Sequence, residues 1–368
     1  MHIPDGYLSP LTCVILYAAA APFWYTALNR LKKILNTRFV PLVSVFAAFS
    51  FVIMMFNIPL PGGTTGHAVG VGVATVVLGP WGSMLAVSVA LLIQALFFGD
   101  GGITAFGANS FNMAIIGSLA ANMIYRLAAG KAALTSTRRV FAAGLAGYGA
   151  INAAAFCASI EFGLQPVFFH DAAGTPLYAP YPLSIAVPAV MIGHLTFAGI
   201  AELIAASGIV AYLQRSDVSL LKLTAPNDVS LNEKLSGKSV WDSIRPLIIG
   251  LAVLMILTPL GLLAAGTAWG EWSSSDFVDP VIREQISNAS GNQTPPKLPP
   301  AGLARLANFW IAPMPDYAPS FIKNQNFGYI LSALFGTGSI IIIIFLLGWI
   351  VSKFNRESDV DLPKNQIE

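Results

Sequence analysis

The chain has 368 residues, of which 10% are charged and 55% hydrophobic, against about 25% charged in ordinary soluble domains. Those proportions exclude a disordered chain, a disulfide scaffold and almost any soluble enzyme. Twenty Lys and Arg against 18 Asp and Glu is too even a balance for a nucleic-acid partner.

Apolar stretches long enough to cross a bilayer recur along the whole chain, as in a polytopic membrane protein. The first spans residues 11–29 and the second 39–60. Arg30, Lys32, Lys33 and Arg38 lie between them. Positive loops stay in the cytoplasm, so the N-terminus is expected outside. The first ten residues, MHIPDGYLSP, carry no basic segment, so no cleaved signal peptide is expected and the mature chain begins at Met1. The third span, 64–80, is short and rich in Gly, Ala and Val. Such a span packs closely against its neighbours or is partly re-entrant. The turn Gly79-Pro80-Trp81-Gly82 leads into a fourth span ending near Phe98, and the glycine loop GDGGITAFG follows outside.

A fifth span, 108–125, ends at an inner loop with Arg126, Lys131, Arg138 and Arg139. The sixth covers 140–160 and the seventh 183–213, with an outer loop between them that lacks Lys and Arg. Residues 214–245 are polar, and Arg215, Lys222, Lys234, Lys238 and Arg245 mark them as cytoplasmic. Spans at 246–268 and 327–351 come last, joined by a long outer loop, 270–326, and the tail after Lys353 lies inside. The expected fold is therefore all-α, with a seven-span core (1–213), a cytoplasmic linker (214–245) and a two-span accessory segment (246–368). Cys13 and Cys157 both sit in apolar runs and read as packing residues, not a disulfide or metal pair.

His2 is the most informative single residue. Next to a free α-amine it sets up a chelate of the Met1 amine, the His2 amide and the His2 imidazole. The amide must lose its proton to bind, which Ni(II) and Cu(II) can drive in a square plane of nitrogens. Co(II) can be pressed into that geometry; Zn(II) and Mg(II) resist it. Three nitrogens leave one position. His67, in PGGTTGHAVG at the outer end of the third span, is placed to fill it, and its flanking glycines let the backbone approach another segment closely. His170 reads as a solvated loop residue, and His194, inside the seventh span, as a buried hydrogen-bonded one. Asp5, Thr65, Gln94, Asn109 and Asn112 are candidates to hydrogen-bond the ligands or the loops around them. For the two asparagines, bonding between helices is an equal alternative. Asp5 either orients the His2 imidazole or closes the PDG turn, and Asp100 could act like Gln94. Glu202 either pairs with a partner subunit or lies near the inner surface.

The opening MHIPDGYLSP, GGTTGHAVG around His67 and FGDGGITAFGANSFNMA together resemble the substrate-binding subunits of cobalt and nickel energy-coupling factor transporters, the CbiM/NikM family, over about residues 1–213. The resemblance implies that Met1, His2 and His67 form the metal site. It also implies a non-catalytic subunit in the cell membrane that works with a transmembrane coupling protein and two ATPase subunits. Such a subunit takes up Ni(II) or Co(II) as substrate and topples within the membrane during transport. The chain carries no Walker A motif of its own. Residues 240–356, with TPLGLLAAGTAWGEW, resemble the two-span CbiN/NikN or PDGLE segments fused to such cores. The outer loop 270–326 either packs over the mouth of the core and aids loading or is a passive tether.

Two other classes remain at this point. An intramembrane metalloenzyme would want a His-Glu-x-x-His pair on a span, and none is present. A self-sufficient secondary carrier would show inverted repeats and charges at the membrane midplane. Apart from His194 and Glu202, the spans are poor in charge.

Overall fold

The computed structural model describes residues 2–32, 39–224, 240–264 and 266–360. Met1, Lys33, Arg38, Lys234 and Lys238, much of the expected linker, and the final residues 361–368 lie outside that set.

Helix α1 (Pro10–Lys32) starts where Ser9 caps it. The Ser9 hydroxyl accepts from the Thr12 amide at 3.1 Å, and proline occupies the first helical position. The helix closes with Arg30 and Lys32 in its last turn, complementing its dipole. Helix α2 (Phe39–Met54) is apolar all round and buries nearly every side chain, which makes it the central column of the bundle. It stops six residues short of the expected end. Pro59, Pro61, Gly62 and Gly63 cannot continue a helix. They form instead a short antiparallel hairpin, β1 (Ile58–Leu60) with β2 (Thr64–Gly66), in register Ile58 to Gly66. This hairpin is the departure from the all-α expectation. It also corrects the start of the third span, since residues 64–66 are strand and 67–70 are unwound.

Helix α3 (Val71–Ile93) is two helices joined at Gly79, whose φ of 71° and ψ of 170° no other residue adopts readily. The Ser83 hydroxyl lies 3.5 Å from the Val71 carbonyl. Twelve residues along a straight helix would separate them by about 18 Å. The chain therefore turns back at Gly79, as the Gly-Pro-Trp-Gly sequence predicts. A wide turn at Gln94–Phe98 extends the returning arm.

Helix α4 (Phe106–Asn109) continues through a wide turn at Ser110–Ile116 into α5 (Gly117–Ala129). Helix α6 (Thr137–Phe168) follows, then α7 (Leu183–Gly193), a wide turn at His194–Ala198 and α8 (Gly199–Ser216). Helices α3, α6 and α8 meet at small residues: Gly72 faces Gly147, which faces Glu202 and Ala206. Removing Cβ atoms there lets the backbones approach as transmembrane helices do.

In the C-terminal part, α9 (Val240–Leu257) and α12 (Gln325–Val360) both pack on α2. The segment between them contains α10 (Pro280–Ala289), capped by the Asp279 carboxylate, and α11 (Ala301–Leu306). Among the described residues, six stretches are long and apolar enough to cross a membrane: Pro10–Lys32, Val71–Phe98, Thr137–Phe168, Leu183–Ser216, Trp241–Leu263 and Gln325–Ile350. Phe39–Met54 is a shorter apolar helix. Leu11, Val14 and Ile15 on α1 and Ile342, Phe345 and Leu346 on α12 point outward. Acyl chains can solvate such side chains and water cannot. Cys13 and Cys157 are both free thiols.

Candidate metal centre at the N-terminal segment

The segment after Met1 is folded into the protein, with Ile3, Tyr7 and Leu8 buried. Asn109 on α4 brackets the Ile3 peptide: its Oδ1 accepts from the Ile3 amide at 2.8 Å and its Nδ2 donates to the Ile3 carbonyl at 3.1 Å. The Gly102 amide donates to the same carbonyl at 2.8 Å. Asp5 accepts from the Thr104 amide at 2.7 Å, the Thr104 hydroxyl at 2.5 Å and the Ile103 amide at 3.2 Å. The carboxylate thus ties the N-terminal turn to the glycine loop and does not face the His2 ring, which corrects the first of its two expected roles. Gly6, at φ 88°, makes the turn and leaves no room for a Cβ against Leu303 of α11. Further along, the Tyr7 carbonyl accepts from the Ala179 amide at 3.0 Å, and the Tyr7 hydroxyl donates to the Trp272 carbonyl at 2.7 Å. The Ser9 amide donates to Gln165 Oε1 at 2.9 Å.

This clamp sets His2 in the interior, 1% exposed, with its ring stacked on His67 at 4.9 Å between centroids and 28° between planes. His2 Nδ1 lies 2.8 Å from Asp100 Oδ1, an ion-pair contact off the line of a ring N–H bond, and His2 Nε2 is buried without a partner. His67 Nδ1 is 3.1 Å from the Ala68 carbonyl. A carbonyl only accepts, so Nδ1 carries the proton and Nε2 keeps its lone pair. Burial, and then the charge of His2, push the His67 imidazole well below its usual range. A neutral ring is the form that can ligate a metal.

His67 is fixed from both sides. The hairpin holds the chain above it. Below it, the Glu202 carboxylate accepts from the amides of Val69 (2.7 Å), Gly70 (2.8 Å) and Gly72 (3.1 Å). Gly70, at φ 76°, turns the strand into the half-helix there. Glu202 is fully buried and holds the main chain of its own protein, which corrects both expected placements of it.

Asp100 completes the cluster. Burial raises its carboxyl, but the His2 and His67 charges and the Tyr317 hydroxyl outweigh that and hold it far below the usual carboxylate range. Its Oδ2 accepts from the Tyr317 hydroxyl at 2.5 Å and from Gln94 Nε2 at 3.2 Å, and Gln94 Nε2 also reaches the Tyr317 oxygen at 2.9 Å.

Of the expected supporting residues, Asn109 and Gln94 therefore join the cluster, and Thr65 is buried in β2. Asn112 turns instead to Glu161 on α6, donating at 2.8 Å, which is the interhelical role. His194 Nδ1 bonds the Val190 carbonyl at 2.8 Å inside its helix, and His170 is exposed in its loop. Gln165 and Tyr317 carried no local signal; Tyr317 lies 217 residues from Asp100. The segment between α9 and α12 also bonds the core through Trp310 Nε1 to the Leu96 carbonyl and the Met314 amide to the Phe97 carbonyl, both at 2.9 Å.

Comparison with known proteins identifies the family of the chain. Residues 2–220 match the family described as "Cobalt uptake substrate-specific transmembrane region", CbiM. Residues 245–353 match the PDGLE domain. The fused nickel transport protein NikMN of Rhodobacter capsulatus is 56% identical over 341 residues, covering 93% of this chain and 95% of that protein. The probable fused nickel transport protein LarMN of Lactiplantibacillus plantarum is 39% identical over 361 residues, covering 98% and 99%. A crystal structure described as a truncated transition metal transporter aligns with a TM-score of 0.56 and 48% identity, over 58% of this chain and 99% of that one. The chain is thus a multi-pass membrane protein of the CbiM nickel and cobalt transport family, carrying a PDGLE domain in its C-terminal part.

Proposed function

We propose that this chain captures Ni(II) or Co(II) as a transported substrate at the outer membrane face. In this reading the ion sits in a square plane of four nitrogens: the Met1 amine, the deprotonated His2 amide, His2 Nδ1 and His67 Nε2. The observation that carries it is the buried stack of His2 on His67, with the Ile3 peptide bracketed by Asn109. The first two donors belong to the main chain. Among the described residues, no group of three or more His, Cys, Asp or Glu side chains is placed to hold a metal.

The chain is read as non-catalytic, with a transmembrane coupling subunit and two ATPase subunits supplying the energy. Seven passes in the core and two in the C-terminal part, N-terminus outside and C-terminus inside a cell membrane, fit the basic residues at Arg126, Lys131, Arg138, Arg139, Arg215 and Arg245. The turn at Gly79 supports counting the α3 region as two passes. Nickel is favoured over cobalt, because the two relatives that cover nearly the whole chain are named for nickel transport.

Two variants of the purified chain test the site. His2→Gln removes the ring nitrogen from the chelate and abolishes tight Ni(II) binding. His67→Ala weakens binding but leaves the three N-terminal donors. Parent-like titrations of both would overturn the assignment.

A further inference from the structure

We propose that Tyr317, on the outer segment of the C-terminal part, is a positioning residue for metal loading: it holds the Asp100 carboxylate and receives it when Asp100 leaves His2. This inference rests on the metal site proposed above. An amide–imidazole chelate closes a six-membered ring through Nδ1, by way of Cα, Cβ and Cγ. His2 Nδ1 is the nitrogen that Asp100 Oδ1 faces at 2.8 Å. An incoming ion therefore has to displace Asp100 before its bond to His2 Nδ1 forms.

Asp100 has a place to go. Its second oxygen already accepts from Tyr317 and Gln94, and a carboxylate leaving one partner is held by donors it already has. Burial and the charge of Asp100 raise the Tyr317 hydroxyl well above its ordinary range, so it stays a donor. Tyr317 is itself rigidly presented. Its ring stacks on Phe98 at 4.7 Å, and its carbonyl accepts from the Ser332 hydroxyl of α12 at 2.9 Å. Asp316 and Tyr317 are consecutive non-glycine residues at φ 53° and 59°. That left-handed pair persists only where surrounding contacts over-determine it. The chain of contacts runs from the last helix through Ser332, Tyr317 and Asp100 to His2. It joins the C-terminal part to the ligand that the ion must win.

The test is stopped-flow loading of Ni(II) onto the full-length chain in detergent, read by the absorption band of the bound ion, with Tyr317→Phe, Asp100→Asn and the double variant. Tyr317→Phe should load about tenfold more slowly and reach the parent spectrum. The double variant should recover the parent rate, because no carboxylate then competes for Nδ1. Hydrogen exchange on the metal-free protein should rise over residues 96–101 in Tyr317→Phe. Parent-like loading of Tyr317→Phe, or a double variant as slow as the single one, overturns the coupling and leaves the site intact. Absence of a square-planar band in the parent overturns the site reading itself, and the coupling with it.

Discussion

The Asn109 side chain grips the Ile3 peptide by both its amide and its carbonyl, across 106 residues of sequence. That grip fixes the main chain beside His2, where in the proposed site a deprotonated amide meets an ion in a plane. A chelate built on a chain terminus costs conformational entropy unless the terminus is ordered beforehand. Asn109, Gly102 and Asp5 supply that order.

Asn109→Ala leaves both polar groups of Ile3 with fewer partners in a buried place. Each lost bond costs roughly 1–3 kcal/mol, and outer partners of metal ligands typically contribute about 10- to 100-fold in affinity. Titration should show Ni(II) affinity lowered within that range with an unchanged absorption band. An unchanged affinity would show that the segment orders itself without Asn109.

Glu202 serves His67 in a similar way. A buried amide left without its acceptor costs roughly 1–3 kcal/mol, and Glu202 accepts from three amides. Glu202→Ala should lower stability by at least about 3 kcal/mol, or roughly 4 °C in thermal midpoint for a chain of this length. Glu202→Gln, which keeps one acceptor oxygen, should fall between. Thermal unfolding in detergent reads both, and equal midpoints for parent and Glu202→Ala would contradict the clamp.

At Gly79 a Cβ would meet no neighbouring atom, yet φ is 71° and ψ 170°. The cost of Gly79→Ala is therefore conformational, about 1–3 kcal/mol. Folded yield and thermal midpoint should drop, while protein that folds binds Ni(II) with parent affinity. Loss of binding in well-folded Gly79→Ala would place the turn in the site itself.

The pH dependence of binding follows from the depressed imidazole of His67. A ring whose folded pKa lies below 6.5 is already neutral above that pH, so it gives up no proton to the ion there. Its protonation weakens binding only as pH falls through the lowered value. Between pH 6.5 and 8 the slope of log affinity against pH should be the same for the parent and His67→Ala, with the protons of the other donors setting it. A steeper parent slope would mean that His67 titrates in that window.

The proposed N-terminal site can be argued from the sequence because its chemistry is local. An amine, an amide and an imidazole in two residues need no long-range contact to be recognised. Pro61, Gly62 and Gly63 announced a break, and Gly79-Pro80 a turn, through backbone geometry alone. Hydropathy carried the strand residues Thr64–Gly66 into the third span, because uncharged residues next to an apolar run have no marker for where a helix begins. Asn109, Gln94 and Asp100 stood out in the sequence as candidate partners of the site, but which groups the partners bond was not legible. Asp100, Glu202 and Tyr317 act through contacts across 98, 133 and 217 residues, and tertiary packing decides which polar side chain meets which main chain. Gln94 stood out only as a polar residue in an apolar helix; its bonds to Asp100 and Tyr317 needed the fold.

The most direct test is X-ray absorption at the nickel edge of the loaded full-length chain. Four nitrogen neighbours in a square plane, one ion per chain, with neither sulfur nor carboxylate oxygen bound, is the predicted result. An octahedral, oxygen-rich shell would contradict the account, because no deprotonated main-chain amide would then be needed and Asp100 would be a ligand, not a group that the ion displaces.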